Sequence, residues 1–385
     1  MGCNKTETCE LYVNEKRIVV DAGRTLLDIL RNTLRLKSVK DGCSEGACGT
    51  CTVLIDGKAM KCCVQKAGRV AGKHIVTVEG LSQREKDVYS YAFGKAGAVQ
   101  CGFCIPGMVM CAKALLDVNL NPTRLEIVHA IRNNYCRCTG YKKIIDAIAL
   151  AATIFRENRS IHQDKRLDAD IRVGKAACRI DATEKVLGTG RYVDDLDSVD
   201  FPGMIYGSAV RSAYPRAIVK SIDINEAQAL PGVVCVLTAA DVPGSNRIGH
   251  LKQDWDTMIP KGGVTHYLGD AICLIAAESK DILEQAKKLV HVEYEELPPV
   301  TCPAEALDKD APLVHPEDKQ GNLMSYEHLV RGDADAVIAS SAYTVTQHYE
   351  TPWTEHAFLE PECAVAMPFG EGVYIYSTDQ SVYDT

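Results

Sequence analysis

Two groups of cysteines have the spacing of iron ligands. Cys43, Cys48 and Cys51 follow one another as C-x4-C-x2-C, with Cys62 and Cys63 a short hairpin later, and this is the spacing that holds a plant-type [2Fe–2S] cluster. Four thiolates are required, because each tetrahedral iron takes two protein sulfurs and two bridging sulfides. Gly42, Gly46 and Gly49 lie among these ligands and let the backbone fold closely enough for amide N–H groups to point at sulfur. Unequal spacing in a loop ahead of a hairpin speaks against a zinc module. If Cys62 and Cys63 sit on a strand, their side chains point to opposite faces and only one reaches the cluster. Spacing alone leaves both open.

The second group is Cys101-Gly-Phe-Cys104 with Cys136-Arg-Cys138. Pro106 marks a helix start directly after the first pair, and the second pair sits in the turn before a helix at Tyr141. Unsatisfied N–H groups at helix starts favour thiolates, so two such starts converge on one metal site. On residue types alone that site holds either a [2Fe–2S] cluster or a tetrahedral zinc. Cys111, one heptad after Cys104, reads as a core residue.

The elements that must position these ligands follow from patterning. Leu11–Val20 alternates as a strand, and Thr25–Leu34 places Leu26, Ile29, Leu30 and Leu34 on one helical stripe. Strands over 52–55 and 59–64 flank Asp56-Gly57, a two-residue hairpin signal, and Ile75–Val78 is a further strand. From Ser82 to Phe155 the texture is about four helices, one opened by the capping box Thr123-x-x-Glu126. Polar, aperiodic residues from Arg156 to Lys175 read as a linker. Beyond Asp181, strands are expected over 204–210, 233–237, 271–277 and 289–294, with a helix over 281–288. Further strands begin at Ala342–Tyr349 and Val373–Tyr376. The last of these is followed by only a few residues, an odd place for a domain to finish, so a truncated chain is expected.

With 385 residues, 46% of them apolar and 24% charged, the chain has the composition of two or three folded domains. Its longest apolar stretch, Ile144–Phe155, carries Asp146 and is well short of the ~20 residues of a membrane span. The N-terminus lacks the apolar region of a secretory signal, which makes a cytoplasmic address the default. Twelve of the 17 cysteines lie in residues 1–138, a clustering that points to metal or redox work. Net charge is +8 over residues 1–158 and −16 over the rest. Basic runs with interleaved aromatics are absent, so nucleic acid is not an expected partner. Gly2 in Met1–Thr6 fits a myristoylation pattern and Gly188-Thr-Gly190 part of a dinucleotide loop, but both are too short to carry a function.

Longer stretches resemble a family. Asp41-Gly-Cys-Ser-Glu-Gly-Ala-Cys-Gly-Thr-Cys51, Gln100-Cys-Gly-Phe-Cys-Ile-Pro-Gly107 and Asn134-Tyr-Cys-Arg-Cys-Thr-Gly-Tyr141 are similar to segments of the xanthine dehydrogenase/aldehyde oxidoreductase family of molybdenum hydroxylases. Downstream, Gly269-Asp-Ala-Ile, Val292-Glu-Tyr-Glu-Glu-Leu-Pro298 and Glu355-His-Ala-Phe-Leu-Glu-Pro361 resemble its hammerhead segment and the opening of its molybdenum domain. The direct join between the two parts looks more like aldehyde oxidoreductases and selenium-dependent xanthine dehydrogenases than animal xanthine dehydrogenases, which insert a flavin domain.

The resemblance implies an α+β multidomain fold. Residues 1–80 are expected to form a β-grasp, ferredoxin-like [2Fe–2S] domain and 81–158 a four-helix [2Fe–2S] domain. A linker over 159–180, an α/β hammerhead over 181–298 and the beginning of a molybdopterin-binding domain over 299–385 follow. Cys43, Cys48, Cys51 and Cys63 are then the ligands of one cluster, and Cys101, Cys104, Cys136 and Cys138 those of another. Gln100 and Cys138 are implied to lie against molybdopterin, and Gln380 resembles the family glutamine beside molybdenum, with Asp379 an extra residue in its pattern. No catalytic residue is expected here, because the family's glutamate base and most cofactor contacts lie beyond the segment matching Gln380. His356, Glu355, Glu360 and Glu362 are read as part of a folding motif.

The implied activity is oxidation of an aldehyde or a purine-like N-heterocycle with water as oxygen source. Electrons leave singly from the pterin through Cys138, the second cluster and the first, to a flavin subunit or another acceptor. The rest of the molybdenum domain is supplied in cis or trans, and this span alone is expected to be inactive. The rival expectation is a non-catalytic electron-transfer subunit of a split enzyme.

Overall fold

The computed structural model describes residues 7–161, 173–174, 177–250, 252–316 and 320–379. The chain forms two compact units, one built from residues up to Leu196 together with those from Pro352, the other from Asp197–Thr351.

The first unit opens on a hairpin of β1 (Thr8–Val13) and β2 (Lys16–Asp21). The expected single strand over 11–20 is thus two, because Asn14 and Glu15 turn the chain at φ 46° and 68°. Short α1 (Leu26–Asp28), capped by the Thr25 hydroxyl, runs into a wider turn over Ile29–Thr33 and buries Leu26, Ile29 and Leu30 completely. Strands β3 (Thr52–Ile55) and β4 (Lys58–Lys61) pair across Asp56-Gly57, both at positive φ as a tight hairpin requires. With β5 (His74–Val76) the sheet order is β2-β1-β5-β3-β4, and only the β1–β5 pairing is parallel. β5 ends at Val76, short of the expected Val78. The Thr77 amide donates to the Asn14 side chain and Val78–Gly80 turns away.

Four helices follow: α2 (Gln83–Ala96), α3 (Ile105–Leu116), α4 (Arg124–Ile131) and α5 (Lys142–Arg156). Capping boxes open two of them, Ser82 with Glu85 and Thr123 with Glu126. Their shared core includes Val88, Phe93, Met108, Ile127, Ile144 and Ile148. A further helix, α6 (Ala182–Leu187), buries Ala182 and Val186 in that same core. Ala182, Val186 and Leu187, at the start of the span expected to form the hammerhead, therefore pack on the cysteine-bearing helices, where their apolar side chains find cover. Gly188 ends α6 at φ 71°, where a Cβ would come within 2.4 Å of Ser38. Of the expected linker over 159–180, residues 162–172 and 175–176 lie outside the described residues.

The second unit contains β6 (Tyr206–Arg211), β7 (Ala217–Asp223), α7 (Asn225–Ala229) and β8 (Val233–Thr238). After the small pair β9 (Arg247–Ile248) and β10 (Trp255–Asp256) come β11 (Ala271–Ala277), α8 (Lys280–Lys287) and β12 (His291–Glu296). One sheet has the order β6-β11-β8, and β7 pairs with β12. Val236, Cys273, Ile275, Leu283 and Ala286 form a core between the three-stranded sheet and its helices. Short α9 (Pro303–Ala306) and α10 (Ala334–Ser340) follow. The expected strand at Ala342–Tyr349 does not form. No described segment pairs with it, and Tyr343 and Tyr349 are exposed. The chain then returns to the first unit as the hairpin β13 (Ala364–Phe369) and β14 (Gly372–Ser377). No described helix is long and apolar enough to cross a membrane.

Candidate metal centres

The first cysteine set occupies the loop that enters β3 and the end of β4. Gly46 and Gly49 both adopt φ 78°, so glycine is required at each. A Cβ on Gly49 would lie 2.3 Å from the Asn133 carbonyl, and one on Gly46 would lie 2.8 Å from Val64. The tight turn aims the Cys48 amide at Cys43 Sγ, at 3.4 Å. Lys61 Nζ donates to the carbonyls of Gly46 and Ala47 at 2.7 and 2.8 Å, and Asp41 accepts from the Ser44 amide and hydroxyl.

Cys62 and Cys63 do not lie on a strand. β4 stops at Lys61, and Cys62–Val64 is a 3-10 turn, so the alternation argument does not apply and both side chains turn inward. Both interact with Cys51. Cys63 also accepts from the Gly46 amide and feels the charge of Cys43, whereas the thiol partners of Cys62 are Cys51 and Cys63. Of the two, Cys63 is the one that faces the loop. A hydrogen bond from Cys62, seconded by Cys63, holds the Cys51 sulfur down at about 6, while burial and the Cys51 charge push Cys63 up to about 12.

In the second set, Cys104 stands at the N-terminus of α3 with Cys101 just ahead of it, and Cys136 and Cys138 lie in the loop leading to α5. The sulfurs meet in twos. Cys138 Sγ is 3.7 Å from Cys101 Sγ, and the Cys104 thiol bonds to Cys136, pulling it down to about 5. Burial pushes Cys101 up to about 12. The Cys136 amide donates to the Tyr141 hydroxyl at 2.9 Å, and its sulfur lies 3.1 Å from Thr139 Oγ1.

Among the described residues no three His, Cys, Asp or Glu side chains converge on a single ion position. Two metal ions bridged by sulfide need two pairs of thiolates instead, which is what the second set offers. A tetrahedral metal with sulfur bonds of about 2.3 Å spaces two thiolates by about 3.7–3.8 Å, the separation of Cys101 and Cys138. Burial holds Cys48 and Cys63 of the first set above the ordinary thiol value, and Cys101 and Cys104 of the second are raised as well, so metal binding would displace protons.

The two sets are joined closely. The Tyr135 amide, next to Cys136, donates to the Cys48 carbonyl at 2.7 Å. Buried Asn134 donates to the Gly49 carbonyl at 2.8 Å and accepts from the Cys111 thiol at 3.1 Å. A Cβ on Gly107 would sit 2.8 Å from the Gly49 carbonyl.

Gln100 is exposed immediately before Cys101. Gln380 lies outside the described residues. Glu355 and His356 are exposed, yet Arg137 Nε donates to the His356 carbonyl and its Nη2 to the Glu355 carbonyl, both at 2.7 Å. Glu362 is exposed, and half-buried Glu360 is raised by burial.

Sequence reasoning missed the charged and aromatic residues behind the loops. Lys40 is fully buried, its Nζ 2.7 Å from Asp195, which also meets Arg31 at 2.8 Å. Tyr192 Oη and Lys185 Nζ each donate to the Cys101 carbonyl at 2.7 Å. These partners lie 84 to 164 residues apart in sequence, and no local periodicity signals them.

Comparison with known proteins gives this architecture a family. Residues 11–74 match a 2Fe-2S iron-sulfur cluster binding domain, and 77–149 match a [2Fe-2S] binding domain. Residues 187–298 match the a/b hammerhead domain of aldehyde oxidase and xanthine dehydrogenase, and 314–385 a molybdopterin cofactor-binding domain. The nicotinate dehydrogenase small FeS subunit of Eubacterium barkeri is 47% identical over 137 residues, 35% of this chain and 87% of that subunit. The chain belongs to the xanthine dehydrogenase/aldehyde oxidoreductase family of molybdenum hydroxylases. The aldehyde oxidoreductase of Megalodesulfovibrio gigas is 36% identical over 384 residues, covering 96% of this chain. A solved aldehyde oxidoreductase from Desulfovibrio gigas superimposes with a TM-score of 0.83 at 34% identity, covering 96% of this chain and 43% of that one. The chain thus spans 42% of the Megalodesulfovibrio gigas relative. With a [2Fe–2S] domain matched over 77–149, the zinc alternative for the second cysteine set falls.

Proposed function

We propose that this chain contributes the iron–sulfur relay and the first molybdopterin-binding segments of an enzyme that oxidises an aldehyde or a purine-like N-heterocycle. The observation that carries the reading is the pairing of two four-cysteine sets through one hydrogen bond, Tyr135 N–H to the Cys48 carbonyl, in a chain that continues into a hammerhead and a molybdopterin-binding domain. A relay carried in one polypeptide with those segments does not favour a separate, non-catalytic electron-transfer subunit.

In this reading residues 1–80 hold one cluster through Cys43, Cys48, Cys51 and Cys63, and 81–158 hold the other through Cys101, Cys104, Cys136 and Cys138. The separation of Cys101 and Cys138, 3.7 Å, supports their sharing one iron, and the Cys104–Cys136 contact supports a second iron held by that pair. When bound, molybdopterin supplies a two-electron oxidation with water as the oxygen source, and one-electron clusters divide that oxidation into single steps. Gln100 and Cys138 would border the pterin, and Gln380 is the residue of this chain proposed to serve the metal. The backbone from Cys48 to Tyr135 and Cys136 then links the two clusters. Lys61, bonded to two carbonyls of the first loop, and Asn134, bonded to the Gly49 carbonyl, keep that link rigid. Electrons leave from the first cluster to a flavin subunit or another acceptor, in the cytoplasm.

The test is anaerobic mixing of the molybdopterin-loaded enzyme, as its gene encodes it, with aldehydes and purines while the visible iron–sulfur absorbance is followed. Bleaching by substrate is expected. Bleaching by dithionite but by none of these substrates would refute the proposed oxidation.

A further inference from the structure

Lys185 and Tyr192 lie outside both cysteine motifs, yet they converge on the backbone of one ligand loop. Lys185 Nζ and Tyr192 Oη each donate to the Cys101 carbonyl at 2.7 Å. The seat is built for the lysine. Gly102 adopts φ 85°, and a Cβ there would lie 2.6–2.9 Å from the Lys185 side-chain carbons, so the glycine leaves the space that the aliphatic stem fills. Tyr192 is 5% exposed, and its ring meets Lys185 Nζ at 4.7 Å and Lys40 Nζ at 4.6 Å. Its ring also packs edge-on against Phe103, between Cys101 and Cys104, at 5.3 Å.

The charges around the loop are unequally matched. Lys40 and Arg31 bond to Asp194 and Asp195 at 2.7–2.9 Å, and Arg179 is bidentate on Asp181. Glu360 also faces Lys185. The nearest carboxylate oxygen of Asp181 is 3.9 Å from Lys185 Nζ, farther than the carbonyl of Cys101. Lys185 therefore directs its charge at the ligand loop. Reduction adds one negative charge to a cluster, and a fixed cation with two donors on a ligand's peptide stabilises the reduced form more than the oxidised one.

We propose that Lys185, seated by Gly102 and supported by Tyr192, raises the reduction potential of the cluster held by Cys101, Cys104, Cys136 and Cys138. Both are positioning residues in the relay of the proposed function, on which this inference rests. The potential difference they create favours arrival of electrons at the second cluster.

The experiment is a dithionite redox titration of the anaerobically purified full chain, monitored by electron paramagnetic resonance. The two signals are assigned by Cys51→Ser and Cys136→Ser. Lys185→Met should make reduction of the second cluster about tenfold less favourable, a fall of about 59 mV, and leave the first cluster unchanged. Lys185→Arg should restore most of the loss. Lys185→Gln, which keeps a donor but no charge, should show most of the Met shift, and Tyr192→Phe a smaller shift in the same direction. A second-cluster reduction equilibrium within twofold of the parent in Lys185→Met, a shift under about 18 mV, or an equal shift of both clusters, overturns the proposal. Loss of the second cluster in both the Met and Gln variants overturns it too, by making Lys185 a structural residue. Absence of two signals from the parent would instead refute the two-cluster reading.

Discussion

Replacing either partner of the Lys40–Asp195 pair should loosen the first unit, and the two replacements should not cost the same. Lys40 is 0% exposed and Asp195 4%, with 2.7 Å between them. Breaking a buried pair by removing one partner costs about 3–5 kcal/mol. Lys40→Met leaves Asp195 with Arg31 at 2.8 Å and the Tyr192 amide at 3.1 Å, so the lower end, about 3 kcal/mol, applies. Asp195→Asn leaves the Lys40 ammonium with the rings of Tyr192 and Phe103 and only the weaker charge of Asp194, which places it near the upper end, about 5 kcal/mol. Native-state hydrogen exchange reads this directly. Amides of β3 and α3 that open with the unit should lose roughly a hundredfold or more of their protection in Lys40→Met, and more in Asp195→Asn. The double variant should cost less than the sum. Burial pushes the Asp195 carboxyl up, but Lys40 and Arg31 outweigh it and hold the group below its ordinary value. Its stabilisation is therefore complete above the ordinary carboxyl value of about 4 and is lost as pH falls below that toward the lower folded value. Asn at position 195 should remove this acid limb. Losses under about 1 kcal/mol in both single variants, or a larger loss in Lys40→Met, would refute the reasoning.

Ser at Cys63 should remove or strongly perturb one cluster signal in the dithionite-reduced protein, whereas Ser at Cys62 should leave both; the reverse would mean that the 3-10 turn presents its other cysteine to iron. Gly49→Ala should lower the yield of the first cluster and expose the joint with Asn133, because its φ of 78° and a Cβ 2.3 Å from a carbonyl combine strain with a clash. Gly57→Ala, at φ 77° with open space around it, should cost only the conformational strain of about 1–2 kcal/mol, and equal losses in the two variants would contradict the proposed contact.

What the sequence made legible was local. The Asp56-Gly57 turn, the Thr123 capping box and the four helices follow from signals a few residues long, and the cysteine spacings carry their own chemistry. The β1–β2 turn escaped because Asn14-Glu15 interrupts an alternating run without a glycine, although asparagine tolerates positive φ. Cys62 and Cys63 were read as strand residues because nothing nearby marks where β4 stops. The packing of Ala182, Val186 and Leu187 on the helices, and with it the placing of Lys185 and Tyr192, depends on contacts with residues about ninety positions earlier. Ala342–Tyr349 has the composition of a strand, but pairing decides whether a strand forms, and composition says nothing about pairing.

The metal content of the two cysteine sets decides whether this chain carries an iron–sulfur relay. Iron, acid-labile sulfide and zinc should be measured in the anaerobically purified chain, alongside Cys51→Ser and Cys136→Ser. Two complete four-cysteine sets predict four irons and four sulfides per chain, with two paramagnetic signals on reduction and each variant losing a different one. Zinc in place of iron, or two irons with both variants affecting the same signal, would contradict it.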